Sequence, residues 1–187
     1  TISDWLEQSI HMFITKTHSK RIIVSSSMGG WLALLLARVL LRDDPRAARR
    51  MAGLVLIAPA ADMTSDLMLN NFPPEALQQL KARGVYERPS DYGDPMPITF
   101  KLLEDGAKHL LLKTGLELPC PVRILQGSSD PDVPPSHALK VFESLSGPDI
   151  TMTLIKGGDH RLSTPGQLTL IRETALQLAE RADGITP

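Results

Sequence analysis

Residues 25–30 read Ser-Ser-Ser-Met-Gly-Gly. They follow the β-branched run Ile22-Ile23-Val24 and precede an apolar stretch that begins at Trp31. A serine centred in such a strand-to-helix turn matches the nucleophile elbow, Gly-x-Ser-x-Gly, and makes Ser27 the candidate nucleophile of an acyl transfer. The turn is sharp, so its flanking positions must carry little side chain. Gly29 meets this, Ser25 departs from it mildly, and Gly30 lets the following helix pack closely on the strand. The Met28 N–H, at the helix N-terminus, would point at a developing oxyanion. The competing reading is a Ser/Gly loop that only caps a helix.

A nucleophilic serine needs a base, and the base needs an orienting acid. Gly127-Ser128-Ser129-Asp130 follows a third apolar run and offers Asp130 as the acid, with Asp132 and Asp62 as competitors at similar positions. The alternative for Asp130 and Asp132 is an Asx turn around Pro131. Gly157-Gly158-Asp159-His160 follows a fourth run and offers His160 as the base. The order Ser27, Asp130, His160 is that of α/β-hydrolases, not of chymotrypsin or subtilisin. His11, His18, His109 and His137 read as surface or packing residues. The single cysteine, Cys120, lies between Pro119 and Pro121 and reads as a small buried side chain.

These residues need a scaffold. Residues 3–18 have helical spacing, and residues 31–41 read as a buried helix. Residues 22–24, 52–58, 122–125 and 150–155 read as buried strands, with helices over residues 135–145 and 165–182. Buried strands alternating with helices predict an α/β fold: a mostly parallel sheet with helices on both faces. The core is then residues 1–60 and 118–187. Residues 61–117 are too long for a plain connection and predict a helical cap insert, with helices over residues 74–83 and 99–113 and an irregular turn-rich stretch over 89–97. Leu67, Met68, Leu69 and Phe72 are candidates to line an acyl pocket, or equally to form the core of the cap.

Lys plus Arg is 20 against 21 Asp plus Glu in 187 residues, so no basic footprint for nucleic acid is present. No apolar run approaches the roughly 20 residues of a membrane span. The chemistry expected needs neither a metal nor an organic cofactor.

The stretches SSSMGGWLALLLAR, GLVLIAPA, PCPVRILQGSSDPDVP and LIKGGDHRLS are similar to those of α/β-hydrolases. More narrowly, the chain resembles the small serine hydrolases related to the mitochondrial acyl-protein thioesterase of animals. The resemblance implies Ser27 as nucleophile, Asp130 as acid and His160 as base. It also implies thioesterase or esterase action on small-molecule esters or acylated proteins, depalmitoylation included, and a cytoplasmic location, or a mitochondrial one in a eukaryote. A complete member has further strands before the nucleophile strand, and a loop there usually supplies a second oxyanion N–H. The expectation is therefore an N-terminally truncated fold with residues 22–24 as an apolar sheet edge, through which it could oligomerise. Loss of one oxyanion donor costs about 10²–10³ in rate, so these 187 residues alone are expected to be poorly active. Two rivals remain: a short-chain carboxylesterase or lipase, and a hydrolase-like binding module without catalysis. A dehalogenase is disfavoured, since that chemistry puts Asp at the elbow.

Overall fold

The computed structural model describes residues 1–89 and 93–184. In chain order the elements are α1 (Ile2–Lys16), β1 (Arg21–Ser26), α2 (Met28–Asp43), α3 (Pro45–Ala48) and β2 (Met51–Ile57), then α4 (Pro74–Arg83), β3 (Val85–Arg88), β4 (Met96–Thr99), α5 (Phe100–Gly106) and β5 (Leu116–Glu117). The chain then runs through β6 (Val122–Gly127), α6 (Pro135–Ser144), β7 (Leu145–Ser146), β8 (Ile150–Ile155) and α7 (Pro165–Ala182). The main sheet has the order β1-β2-β6-β8 and is parallel throughout.

Strand β2 shows why the sheet needs cover on both faces. Successive side chains of a strand alternate between faces. Leu54 and Leu56 join the large core with Trp31, Leu34 and Leu35 of α2, while Val55 and Ile57 join a second cluster with Leu178 and Ile171 of α7. An uninterrupted apolar run is the sequence mark of a strand buried on both sides. The sequence reading makes residues 22–24 and 150–155 buried strands too, and here the structure differs. Strands β1 and β8 are the two edges of the sheet, with Val24 47% and Leu154 55% exposed. An edge strand has one neighbour: α2 and α7 pack on β1 and β2, α6 packs on β6 and β8, and the outer flanks of β1 and β8 stay open. Residues 22–24 do form the exposed apolar edge that was also expected.

Residues 61–117 carry their own elements. A π-helical turn at Thr64–Met68 and a 3₁₀ turn at Leu69–Asn71 lead into α4, and β3 and β4 form an antiparallel hairpin. The sequence reading has no hairpin. It takes residues 89–97 as irregular, of which 90–92 lie outside the described residues, while Met96 and Pro97 are strand. Pro97 looks like a breaker, but a two-stranded ribbon leaves one side of each strand unpaired, where proline is tolerated.

The helix expected over residues 99–113 also ends early. Helix α5 stops at Gly106, and a short 3₁₀ turn ends at His109. Beyond that turn, the Asp62 carboxylate takes the Leu111 N–H at 2.8 Å and the Leu112 N–H at 3.0 Å and holds the backbone on a non-helical path. The first helix ends at Lys16, which leaves His18 beyond it. Among the described residues, no helix is long and apolar enough to cross a membrane.

Candidate active site

Ser27 is the residue between β1 and α2 and has φ 53° and ψ −123°. Positive φ is strained for a residue with a Cβ and persists only when its surroundings impose it. Those surroundings are visible. The Ser27 N–H donates to the Ile57 carbonyl at 2.9 Å, and the Ser27 carbonyl accepts from Gly30 N at 2.9 Å and Ala60 N at 3.1 Å. The end of β2 thus pins the turn that ends β1. Ser27 stands at the N-cap of α2, yet its hydroxyl makes no capping bond. The Ser27 side chain is therefore not held as a helix cap.

The glycines divide the labour differently from expectation. A Cβ at Gly30 would lie 2.9 Å from Pro59 Cβ, so Gly30 permits the close approach of α2 to the chain after β2. A Cβ at Gly29 would meet only Ser25 Cβ at an ordinary 3.7 Å. The turn is crowded at Gly30, and Gly29 has room. Ser25 is accommodated, with its hydroxyl buried and without a hydrogen-bond partner. Met28 is the first residue of α2, so its N–H has no carbonyl partner within the helix.

Asp130 is 5% exposed and lies just beyond β6. Oδ1 accepts the N–H groups of Asp132 and Val133, both at 2.9 Å. Oδ2 accepts Gln126 Nε2 at 3.2 Å and faces His160 Nδ1 at 2.9 Å. A carboxylate only accepts, so His160 Nδ1 donates to Asp130 and Nε2 is the ring nitrogen turned away from it. The Asx turn and the acid are therefore not alternatives: one oxygen makes the turn and the other orients the imidazole.

The loops carrying this pair are sewn together. Gly157 N donates to Ser128 Oγ at 2.7 Å, Ser129 N to the Gly158 carbonyl at 2.9 Å, and Ser128 N to the Ile155 carbonyl at 2.9 Å. A Cβ at Gly127 would fall 2.3 Å from the Gly158 carbonyl oxygen, so only glycine allows this approach. Asp159 Oδ1 accepts the Arg161 and Leu162 N–H groups, and Leu162 (φ 47°, 1% exposed) anchors the far side of the His160 loop in the core.

Ser27, Asp130 and His160 follow the carboxyl ends of β1, β6 and β8, on one rim of the sheet. Asp130 and His160 are in contact. Among the described residues Ser27 Oγ makes no hydrogen bond, to His160 or to any other group. Such contacts are often long in the absence of substrate.

The competitors have other work. Asp62 is buried and holds Leu111 and Leu112, and burial pushes its carboxyl above the ordinary range against the pull of those two N–H groups. Asp132 pairs with Arg88, at the end of β3, at 3.6 Å. Asp130, Asp132 and His160 could offer a metal three ligand atoms within 4.8 Å of one another. The Asp130 oxygens are, however, spent on four hydrogen bonds, which suits an acid–base pair better.

His137 is buried with Nε2 against the Ala61 carbonyl at 2.9 Å, and burial pushes its imidazole down. His109 Nε2 meets Ser3 Oγ at 2.7 Å, and His11 and His18 are exposed. Cys120 is buried, which pushes its thiol up, away from nucleophilic character. Leu67 and Met68 pack on the main core, Phe72 stacks edge-on against Tyr86 at 5.3 Å, and Leu69 is exposed. Sequence reasoning passed over Gln126, Ser128 and Asp159. The signal for Gln126 was a polar residue inside the apolar run Val122–Gly127.

No family model matches the chain. It is 28% identical to the mouse mitochondrial palmitoyl-protein thioesterase ABHD10 over 189 residues, covering 100% of this chain and 61% of that protein. The human counterpart is 26% identical, with 99% of this chain and 58% of that one covered. The chain thus spans about three fifths of the curated relatives it matches. Among solved structures, a putative hydrolase from Agrobacterium vitis S4 superposes with a TM-score of 0.91 at 40% identity, over 95% of this chain and 68% of that one. Mouse α/β-hydrolase domain-containing protein 10 superposes with a TM-score of 0.78 at 26% identity, over 100% and 71%. The four-strand parallel sheet, the strained serine turn and these likenesses agree, and the chain belongs to the α/β-hydrolase family.

Proposed function

We propose that the chain carries the catalytic residues of a serine hydrolase that cleaves carboxylic esters or acyl thioesters through an acyl-enzyme on Ser27. The observation that carries this is the His160 Nδ1–Asp130 Oδ2 contact at 2.9 Å, on the sheet rim where Ser27 holds a strained turn. Ser27 Oγ bonds to the acyl carbon as its proton passes to His160 Nε2. Asp130 stabilises the imidazolium, and the Met28 N–H at the α2 N-terminus receives the developing oxyanion. The tetrahedral intermediate collapses, and the leaving thiolate or alkoxide takes the proton from His160. Water then adds to the acyl carbon with His160 again as base, and the carboxylic acid leaves Ser27 free.

Residues 61–117 act in this reading as a cap over the rim, with Leu67, Met68, Leu69 and Phe72 beside the acyl chain. A thioester substrate is favoured because the mouse and human relatives are named palmitoyl-protein thioesterases. The second reading, a short-chain carboxylesterase, draws on the same site. A serine-reactive fluorophosphonate tests the core of the proposal: one label on the wild type, absent from Ser27→Ala, is expected, and labelling that survives Ser27→Ala overturns it. Turnover of matched acyl thioester and oxygen-ester substrates separates the two readings.

A further inference from the structure

At the opposite end of the sheet, the amino-terminal ends of β1, β2 and β6 open onto a cleft of about 490 Å³. Strand β2 is seven residues long, which places the cleft about 20 Å from the Ser27 rim. Its apolar wall includes Leu41, Met51 and Cys120. Three cations line it, Lys20, Arg49 and Arg181, and no carboxylate does. In a chain whose formal charge is −1, three cations around one apolar hollow is a local concentration of positive charge.

Two of the cations are partly engaged: Lys20 donates to the Ala182 carbonyl at the end of α7, and Arg181 reaches Asp149 at 3.2 Å. These contacts also offset the negative end of the α7 dipole, which would otherwise repel an anion here. The Arg49 backbone N–H donates to the Pro45 carbonyl, while its exposed guanidinium makes no hydrogen bond or ion pair among the described residues. A guanidinium with all its donors facing water beside an apolar wall is the element that a ligand headgroup could complete.

We propose that this cleft binds a single-chain aliphatic anion, its carboxylate or phosphate head on Arg49, Lys20 and Arg181 and its chain along Leu41, Met51 and Cys120. The site is separate from the acyl-transfer rim and independent of the chemistry proposed there.

The test uses Ser27→Ala protein, so that neither turnover nor acylation at the elbow enters. Decanoate, decyl phosphate and decyltrimethylammonium are titrated calorimetrically below their micellar concentrations. In parallel, amide hydrogen exchange over residues 41–52 is followed by mass spectrometry. Saturable binding of an anion that slows exchange there, with none by the cation, is the expected result. The tighter of the two anions then identifies the source as a free fatty acid or a lipid phosphate head. Removing one exposed charge should weaken binding about two- to fivefold, and Arg49→Gln with Arg181→Gln about tenfold. The exposed single substitution Lys20→Gln serves as a second variant should that pair not fold. Absent binding, equal binding of the cation, or an unchanged Kd in folded variants overturns the proposal.

Discussion

Gln126 Nε2 lies 3.2 Å from Asp130 Oδ2, the oxygen that also receives His160 Nδ1 at 2.9 Å. The same amide nitrogen reaches the Val133 carbonyl at 2.9 Å, so one fully buried side chain ties the acid, its turn and the end of β6 together. In the proposed mechanism Gln126 is a positioning residue for the acid–base pair. Its replacement should act on catalysis as well as on stability.

Gln126→Leu takes one donor from Asp130, leaving more negative charge facing His160. The carboxylate is also held less firmly against the imidazole. A fall in kcat of about tenfold with KM little changed is expected, with a stability loss of about 1–3 kcal/mol from the unpaired Val133 carbonyl. Steady-state kinetics and a melt read both. Unchanged kcat with lower stability would reduce Gln126 to a purely structural role.

Ser27→Ala should lower kcat by at least about 10³-fold while leaving the fold intact. Ser27→Gly should also be inactive but more stable than Ser27→Ala, since glycine alone accepts φ 53° without strain. Denaturant midpoints of the two variants compare them directly. Equal stability would mean that the elbow carries little strain.

Gly127→Ala and Gly29→Ala form a contrast. The first puts a methyl group 2.3 Å from the Gly158 carbonyl oxygen and must push the Asp130 and His160 loops apart. It should cost about 1–3 kcal/mol and most of the activity. The second meets Ser25 Cβ at 3.7 Å and should be tolerated. Activity and melting of both variants decide; equal effects would contradict the geometry.

His137 is buried and His109 half-buried, and desolvation pushes both imidazoles below the ordinary 6.5. A group whose folded pKa is depressed contributes stability that is full above its unfolded pKa and lost as pH falls. Stability should therefore decline as pH drops below about 6.5. His137→Gln should flatten part of that decline. Asp62, Asp66 and Lys140 lie in the field of His137, so the comparison is best made against wild type at matched ionic strength. An unaltered slope in the variant would assign the decline to other groups.

Much of this was legible in the chain. Residues 52–58 and 122–125 carry unbroken apolar runs because the strands they form are covered on both faces, and helix α7 matches residues 165–182 because its capping box, Thr164 with Gln167, is written locally. The strand–turn–helix context of Ser27 and the loop positions of Asp130 and His160 depend on short-range pattern, so they too could be read. The parts that were missed depend on contacts distant in sequence. Asp62 holds the backbone at Leu111 and Leu112 from some fifty residues away. The β3–β4 hairpin pairs Glu87 with Pro97, which no local propensity favours.

By itself, then, the sequence determined the order of elements, the α/β class and the identity of the candidate serine and histidine, since each is encoded in neighbouring residues. Only the tertiary structure decided which aspartate meets His160, that Gln126 holds it, and that crowding falls on Gly30 and not Gly29. Those choices are made by hydrogen bonds and steric contacts between loops that share nothing in sequence and are brought together by the parallel sheet.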